Sequence, residues 1–234
     1  PRLASVLEVV YLVFNEGYSA TAGDDWMRPA LCDEALRLGR ILAGLVGDDS
    51  EVHGLVALME IQASRMHART DDEGRPVLLL EQDRTRWDAL LIRRGLAALA
   101  RSAALGGARG PYALQAEIAA CHARAQRAEA TDWVQIVALY DALAQVAPSP
   151  VVELNRAVAV GMAFGPPAGL ELVDALAAEP ALAGYRWLPS VRGDLLAKVG
   201  RMAEAAAEFE RAAEMTGNAR ERELLLGRAR TCRE

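Results

Sequence analysis

Apolar residues recur at three- and four-residue spacing from the first turn of the chain. Leu3, Val6, Leu7, Val10 and Phe14 share one helical face. Tyr11, Leu12 and Val13 widen that stripe, which predicts a first helix buried on most sides and ended by Gly17 and the polar stretch 19–25. A second helix is predicted over 28–46, with a stripe of Leu31, Ala35, Leu38, Leu42 and Leu45 and with Gly47 at the C-terminal cap. Asp48 and Glu51 read as a capping box opening a third helix that carries Val52, Leu55, Val56, Met59, Ala63 and Met66. The segment 69–80 breaks the pattern. Asp71, Asp72, Glu73 and Gly74 form a turn signal, Pro76 excludes a helix interior, and a loop or one small hairpin is expected. Thr85 with Asp88 then opens a fourth helix over 86–105, ended by the Gly-rich 106–110.

From Pro111 onward the helical signals shorten. Helices are predicted at 111–128 and 132–146, then from Pro150 to near Phe164, with Ser149 as N-cap and Pro150 in the first turn. Four more follow at 168–178, 186–199, 202–216 and 218–230, with no strand run. Gly193, Leu196, Gly200, Ala205, Phe209 and Ala212 resemble one tetratricopeptide (TPR) unit: small residues let two helices approach, large ones fill the gap, and Gly turns the chain. Stepping back from Gly200 meets Gly165 and then Thr131, giving registers near Glu117, Val151 and Arg186. Tyr140, Leu143 and Pro148 fit the first register, whereas Asp174 stands where the middle one wants an aromatic residue. The expected fold is all-α: antiparallel helix pairs, with an N-terminal helical bundle over 1–108 and a TPR-like right-handed solenoid over 109–234, packed as one continuous unit. A plain antiparallel bundle with short loops is the alternative.

Composition narrows the function. Of 234 residues, 26 are Lys or Arg and 32 Asp or Glu, a net charge of −6, with no basic tract, so direct nucleic-acid binding is not expected. Hydrophobic residues make up 52%, which excludes a disordered chain. Cys32, Cys121 and Cys232 are odd in number and far apart, as in a reducing compartment. No run is long enough to span a membrane and no leader pattern is visible, so a cytoplasmic setting without membrane contact is expected. The chain opens on Pro1, not Met, which suggests a processed form or an excised fragment.

Chemical motifs are sparse. His53 and His67, 14 residues apart on one predicted helix, would lie about 21 Å apart, too far to share an ion. Cys121 and His122 are adjacent and point apart. There is no nucleophile elbow, Walker motif or dinucleotide fingerprint. The pairs Asp24-Asp25, Asp48-Asp49 and Asp71-Asp72 sit where loops and helix starts favour Asp. No catalytic residue, metal site or cofactor is therefore expected, and an enzyme is the least favoured reading. Three polar clusters stand out in apolar surroundings: Asn15-Glu16 with Tyr18, the string QDRTRWD over 82–88, and Asn155-Arg156. Each could line a recognition surface, or could be ion pairs and caps that dock helices. In the repeat register Asn155, Asp194 and Lys198 face the concave groove, while Arg86, Trp87 and Asp88 form a clamp or a docking surface.

The strings YLVFNEGYSA (11–20), LLEQDRTRWD (79–88), GPYALQAEIAACHA (110–123), DWVQIVALYDAL (132–143) and SPVVELNRAVAV (149–160) resemble the C-terminal extension of a group of bacterial extracytoplasmic-function (ECF) RNA polymerase sigma factors. The resemblance covers nearly the whole chain in the same order. It implies a two-part sigma module upstream that binds promoter and polymerase and is not part of these 234 residues. It also implies a cytoplasmic accessory region that takes the place of a membrane anti-sigma partner. The resulting expectation is a non-enzymatic regulatory domain. Its partners would be the sigma module of the same chain, core RNA polymerase or a regulatory protein. The rival is a small-molecule sensor with a pocket between the N-terminal helices and the repeats, near Glu16, Tyr18 and Trp87.

Overall fold

The computed structural model describes residues 2–234. Its α-helices are α1 (Arg2–Tyr18), α2 (Pro29–Leu45), α3 (Ser50–Ala63), α4 (Ala89–Ala104), α5 (Pro111–Arg124), α6 (Trp133–Val146), α7 (Pro150–Phe164), α8 (Pro166–Leu176), α9 (Trp187–Lys198), α10 (Met202–Met215) and α11 (Ala219–Thr231). The fold is all-α, and consecutive helices stack in a solenoid-like manner. The strands are two residues each: β1 (Ala22–Gly23) runs parallel to β2 (Gly217–Asn218). Two compact units divide the chain. The first comprises the residues up to Ala20 and Trp26–Asp132; the second comprises Thr21–Asp25 and Trp133–Glu234.

The first unit is built around α3, which touches α1, α2, α4 and α5. Val52, Leu55, Val56, Leu58, Met59 and Ile61 are all buried, so α3 is covered on most sides, as a central helix must be, and its one buried carboxylate, Glu60, pairs with Arg40 at 2.8 Å. Asp49, not Asp48, is its N-cap: the carboxylate accepts from the backbone N–H of Glu51 (2.9 Å) and Val52 (3.1 Å). Glu51 is thereby released from the expected capping box. Its carboxylate instead reaches the start of α5 and accepts from Tyr112 N (2.8 Å) and Ala113 N (3.1 Å). Gly110 makes room for it, since a Cβ there would lie 2.3 Å from the Glu51 carboxyl carbon.

These contacts place α5 with the N-terminal helices. The division between compact units falls at Asp132/Trp133 and not at 108/109, so the register begun near Glu117 takes its two helices from different units. Other expectations shift by a turn. Asp88, not Thr85, caps α4, accepting from Leu90 N (2.8 Å) and Leu91 N (3.0 Å), while 84–86 form a 3-10 turn. α3 stops at Ala63, so His67 lies in a separate 3-10 turn and not on the helix of His53. The segment 69–80 holds one antiparallel bridge, Thr70 to Pro76, the small hairpin that was expected.

The apolar stripes of α1 and α2 are wider than the core they meet. α1 buries Leu7, Val10, Phe14 and Gly17, and α2 buries Cys32, Ala35, Leu36 and Gly39. Val9 and Leu12 are 59% exposed and Leu45 is 78% exposed, so the first helix is not enclosed on most sides.

In the second unit each helix from α6 to α11 packs on its neighbours in sequence. The registers at Val151 and Arg186 coincide with the pairs α7–α8 and α9–α10. Gly193 lets α9 close on α10, since a Cβ there would be 2.9 Å from the Phe209 ring. Gly165 (φ 104°) and Gly200 (φ 81°) turn the chain at equivalent points. Leu154, Leu170, Val173, Leu195, Leu196, Phe209 and Leu225 form one buried core. Asp174, in place of an aromatic residue, pairs with Arg192 at 2.7 Å, and Arg192 also reaches Glu208 at 2.7 Å, linking α8, α9 and α10 by charge.

Two substitutions check the Glu51 contact. Glu51→Ala should destabilise the chain by about 1–3 kcal/mol by leaving buried N–H groups without acceptors, and Gly110→Ala should destabilise it by displacing the same carboxylate. In denaturant unfolding the double variant should lose less than the sum of the two, because both act on one interaction.

Candidate functional site

The predicted residues around Trp87 lie in the first unit, and the structure adds two arginines, Arg65 and Arg69, to them. Trp87 follows the 3-10 turn and is 6% exposed. Arg84 lies over its ring at 4.9 Å and Arg65 at 5.9 Å. Arg65 also faces the ring of Tyr18 at 5.6 Å, and Arg69 sits on that same ring at 3.6 Å. Phe14 stacks on Tyr18 with centroids 5.7 Å apart, and Trp26 lies 5.6 Å from Arg69. The result is a chain of alternating guanidinium groups and aromatic faces, a cation–π arrangement that strengthens where water is excluded.

Helix ends balance two of these charges. The carbonyl groups at a helix C-terminus lack intrahelical partners and carry partial negative charge. Arg84 donates from one Nη to His122 O and Ala125 O at the end of α5, both at 2.7 Å, and from the other to Thr131 Oγ1 at 3.1 Å. Arg69 donates to Tyr18 O at the end of α1 at 2.9 Å and to Met27 Sδ at 3.3 Å. Burial, then the like charge of Arg65, lowers the pKa of Arg84; burial outweighs the other influences on Arg69 and lowers it too. Burial, with the charges of Arg65 and Arg84, pushes the buried His122 down to about 3, so its imidazole is neutral. Burial pushes the Cys32 thiol up to about 12, which leaves it protonated.

The expected residues have separate duties. Arg86 is exposed, Trp87 is the centre of the stack, and Asp88 is the α4 cap, itself tied to Ser64 O through its backbone N–H at 2.8 Å. Glu16 forms an ion pair with Arg28 at 3.1 Å, and Tyr18 is the platform for two arginines. The string QDRTRWD thus divides into a core residue, a cap and an outward cation. Arg65 and Arg69 were not predicted as members. A signal was present, since two arginines four residues apart in 64–70 have no acid until Asp71.

In the second unit Asn155 is exposed on α7 and, among the described residues, its side chain makes no hydrogen bond. Lys198 Nζ lies 3.8 Å from Met162 Sδ, two turns along α7 from Asn155, so the two helices share that side. Asp194 is held internally by Lys198 at 2.7 Å and by Arg228 of α11, which also covers the Phe209 ring at 4.3 Å. Burial raises the Asp194 carboxyl, but the two cations outweigh it and hold it below the usual carboxylate range. Asp194 and Lys198 therefore join α9 to α11 as well as facing outward. Among the described residues no cluster of His, Cys, Asp or Glu could hold a metal ion, and no helix is long and apolar enough to cross a membrane.

Residues 2–103 match a family described as "Family of unknown function (DUF6596)". An uncharacterized protein of Rhizobium meliloti (strain 1021) is 48% identical over 221 residues, which are 94% of this chain and 51% of that protein. The chain thus spans about half the length of this curated relative. No solved structure matches.

His122 makes stability depend on pH. An unfolded histidine titrates near 6.5, and the folded one near 3. Between those values the unfolded chain binds a proton that the folded chain refuses. The contribution is complete above pH 6.5 and is lost as pH falls toward 3, by at most about 1.4 kcal/mol per unit. Unfolding free energies of wild type and His122→Gln, measured across this range, should diverge in slope, with the variant falling less steeply.

Proposed function

We propose that this chain is the regulatory, protein-interaction region of a sigma factor of the ECF type, without enzymatic activity, and that it acts by docking the remainder of a longer polypeptide. The observation that carries this reading is the open apolar face of α1 and α2. Ser5, Val6, Val9, Val10, Leu38, Ile41, Leu42 and Leu45 line a groove of about 460 Å³. Isolated apolar residues are ordinary on a surface, but a contiguous groove of this kind marks an interaction site. The relative is about twice the length matched here, so its polypeptide has a second half of comparable size to occupy such a face. The likeness of 11–20, 79–88 and 149–160 to sigma-factor extensions supports reading that half as a sigma module. Core polymerase or a regulatory protein would then meet the outward side of the repeats, where Asn155 is the uncommitted polar group. An acidic chain with no membrane-spanning helix suits a cytoplasmic partner of this kind.

A second reading, sensing of a small molecule, draws support from the arginine–aromatic stack around Trp87.

The docking reading is tested with purified sigma module and core polymerase. Val9→Glu and Ile41→Glu, each placing a charge in the groove without touching the core, should weaken capture of the sigma module by at least about tenfold and leave the melting temperature unchanged. Asn155→Ala should spare that contact and weaken the one with polymerase. Wild-type chain that captures neither partner would overturn the proposal.

A further inference from the structure

Arg65 differs from its neighbours. It stands where α3 gives way to the 3-10 turn and is 9% exposed. Arg69 and Arg84 place N–H groups on helix-terminal carbonyls, though the Nε of Arg84 is left buried without an acceptor, but the Arg65 side chain places none: among the described residues it makes no hydrogen bond and no ion pair. Its Nε is sealed from solvent without an acceptor. The indole N–H of Trp87, whose ring it faces at 5.9 Å, is also buried without an acceptor. With the Arg84 Nε, three donors in one stack therefore lack the same thing. Burying such groups unpaired is costly, and the rings of Tyr18 and Trp87 return only part of that cost.

Charge indicates what kind of acceptor is missing. Among the described residues none of Arg65, Arg69 and Arg84 forms an ion pair with a carboxylate. Arg84 feels Glu129 at longer range, and Arg65 raises the positive potential at both other arginines and at His122. A water molecule would supply a lone pair and leave this potential uncancelled; an anion would supply both. A guanidinium fork matches two oxygens of one group, as a point cation does not. Limited exposure of Arg65 and Trp87 restricts the ligand to a small ion or a slender terminal group.

We propose that Arg65 and Trp87 form a binding site for a small oxyanion of the phosphate or carboxylate type. The Arg65 guanidinium and the Trp87 indole N–H hold it within the field of Arg69 and Arg84. The site lies wholly in the first unit and stands independently of the sigma-factor reading. Its occupation would tighten the junction of α1, the turn after α3 and the end of α5, since Tyr18 ends α1, Arg65 stands in that turn and Arg84 donates to the last carbonyls of α5.

The test uses the 234-residue chain, titrated with sodium phosphate and separately with sodium acetate, against sodium chloride of equal ionic strength. Tryptophan fluorescence and thermal melting are the readouts. One or both oxyanions should give a saturable fluorescence change and raise the melting temperature by about 2–4 °C; response to phosphate alone assigns a phosphoryl ligand, and response to acetate assigns a carboxylate. Arg65→Met should abolish the saturable response, and Trp87→Phe, which keeps the ring face and removes the N–H, should weaken it by about tenfold. If Arg65→Met does not fold, Arg65→Lys serves in its place, keeping the charge and losing the fork. A wild-type response no different from chloride, or a saturable response that persists without the Arg65 fork, would overturn the proposal.

Discussion

Helix α5 is held at both ends by side chains from elsewhere in the sequence, and the first unit depends on that. At its N-terminus the carboxylate of Glu51 accepts from Tyr112 and Ala113. At its C-terminus the guanidinium of Arg84 donates to His122 O and Ala125 O. Each charge meets the helix dipole with the favourable sign, and each satisfies backbone groups that a helix end leaves open. Apolar packing against α3 supplies affinity but little register. The two terminal clamps set where along α3 the helix sits, and so where the Trp87 stack closes.

The arginines around Trp87 differ from those that fasten the second unit. In the second, arginines meet carboxylates. Arg192 joins Asp174 and Glu208, Arg186 reaches the buried Glu221 at 2.8 Å, and Arg228 meets Asp194. Those pairs fasten helix to helix in a stack whose cores are rich in Ala and so bury little area per contact. In the first unit Arg28, Arg37, Arg40, Arg75 and Arg109 also pair with carboxylates, but Arg65, Arg69 and Arg84 around Trp87 meet ring faces and, for Arg69 and Arg84, helix-terminal carbonyls, which carry only partial charge. Positive potential is thereby concentrated around Trp87, whereas the ion pairs of the second unit cancel it. That contrast makes the Trp87 region a candidate for chemistry, while the groups on α9 to α11 read chiefly as fasteners.

Helix periodicity was fully legible in the residues, because spacings of three and four leave little choice and Gly and Pro mark the stops. Caps were less so. Asp48 and Asp49 are equivalent in composition, and only the tertiary need for Glu51 at α5 selects Asp49. The boundary at 108/109 followed the change in helix length, yet contacts follow capping and burial, which cross that change. Stripe width misled in the other direction: Val9, Leu12 and Leu45 look like core residues by spacing, and nothing local reveals that no neighbour covers them. At the site, Trp87 and Tyr18 were visible as aromatics in polar strings. Arg65 was missed: two arginines four residues apart with no acid until Asp71 were a signal of excess charge, but which of them lacks acceptors is decided by the fold.

Two features of the first unit are unfavourable in the chain taken alone. Apolar side chains of α1 and α2 are left in water, and a buried guanidinium is left without an acceptor. Either could be relieved by a single exchange, a polar residue for Val9 or an apolar one for Arg65, without disturbing α3 or its caps. Stabilising changes of that kind are readily available to a fold, and their cost falls on function where the strained group is used. The two features also ask for complementary things, an apolar surface and a negative charge. They lie on different parts of the unit but share α1, whose first turns line the groove and whose last residue, Tyr18, carries Arg65 and Arg69. A single rigid helix connecting an apolar groove to a cationic stack gives occupation of one a direct mechanical route to the other.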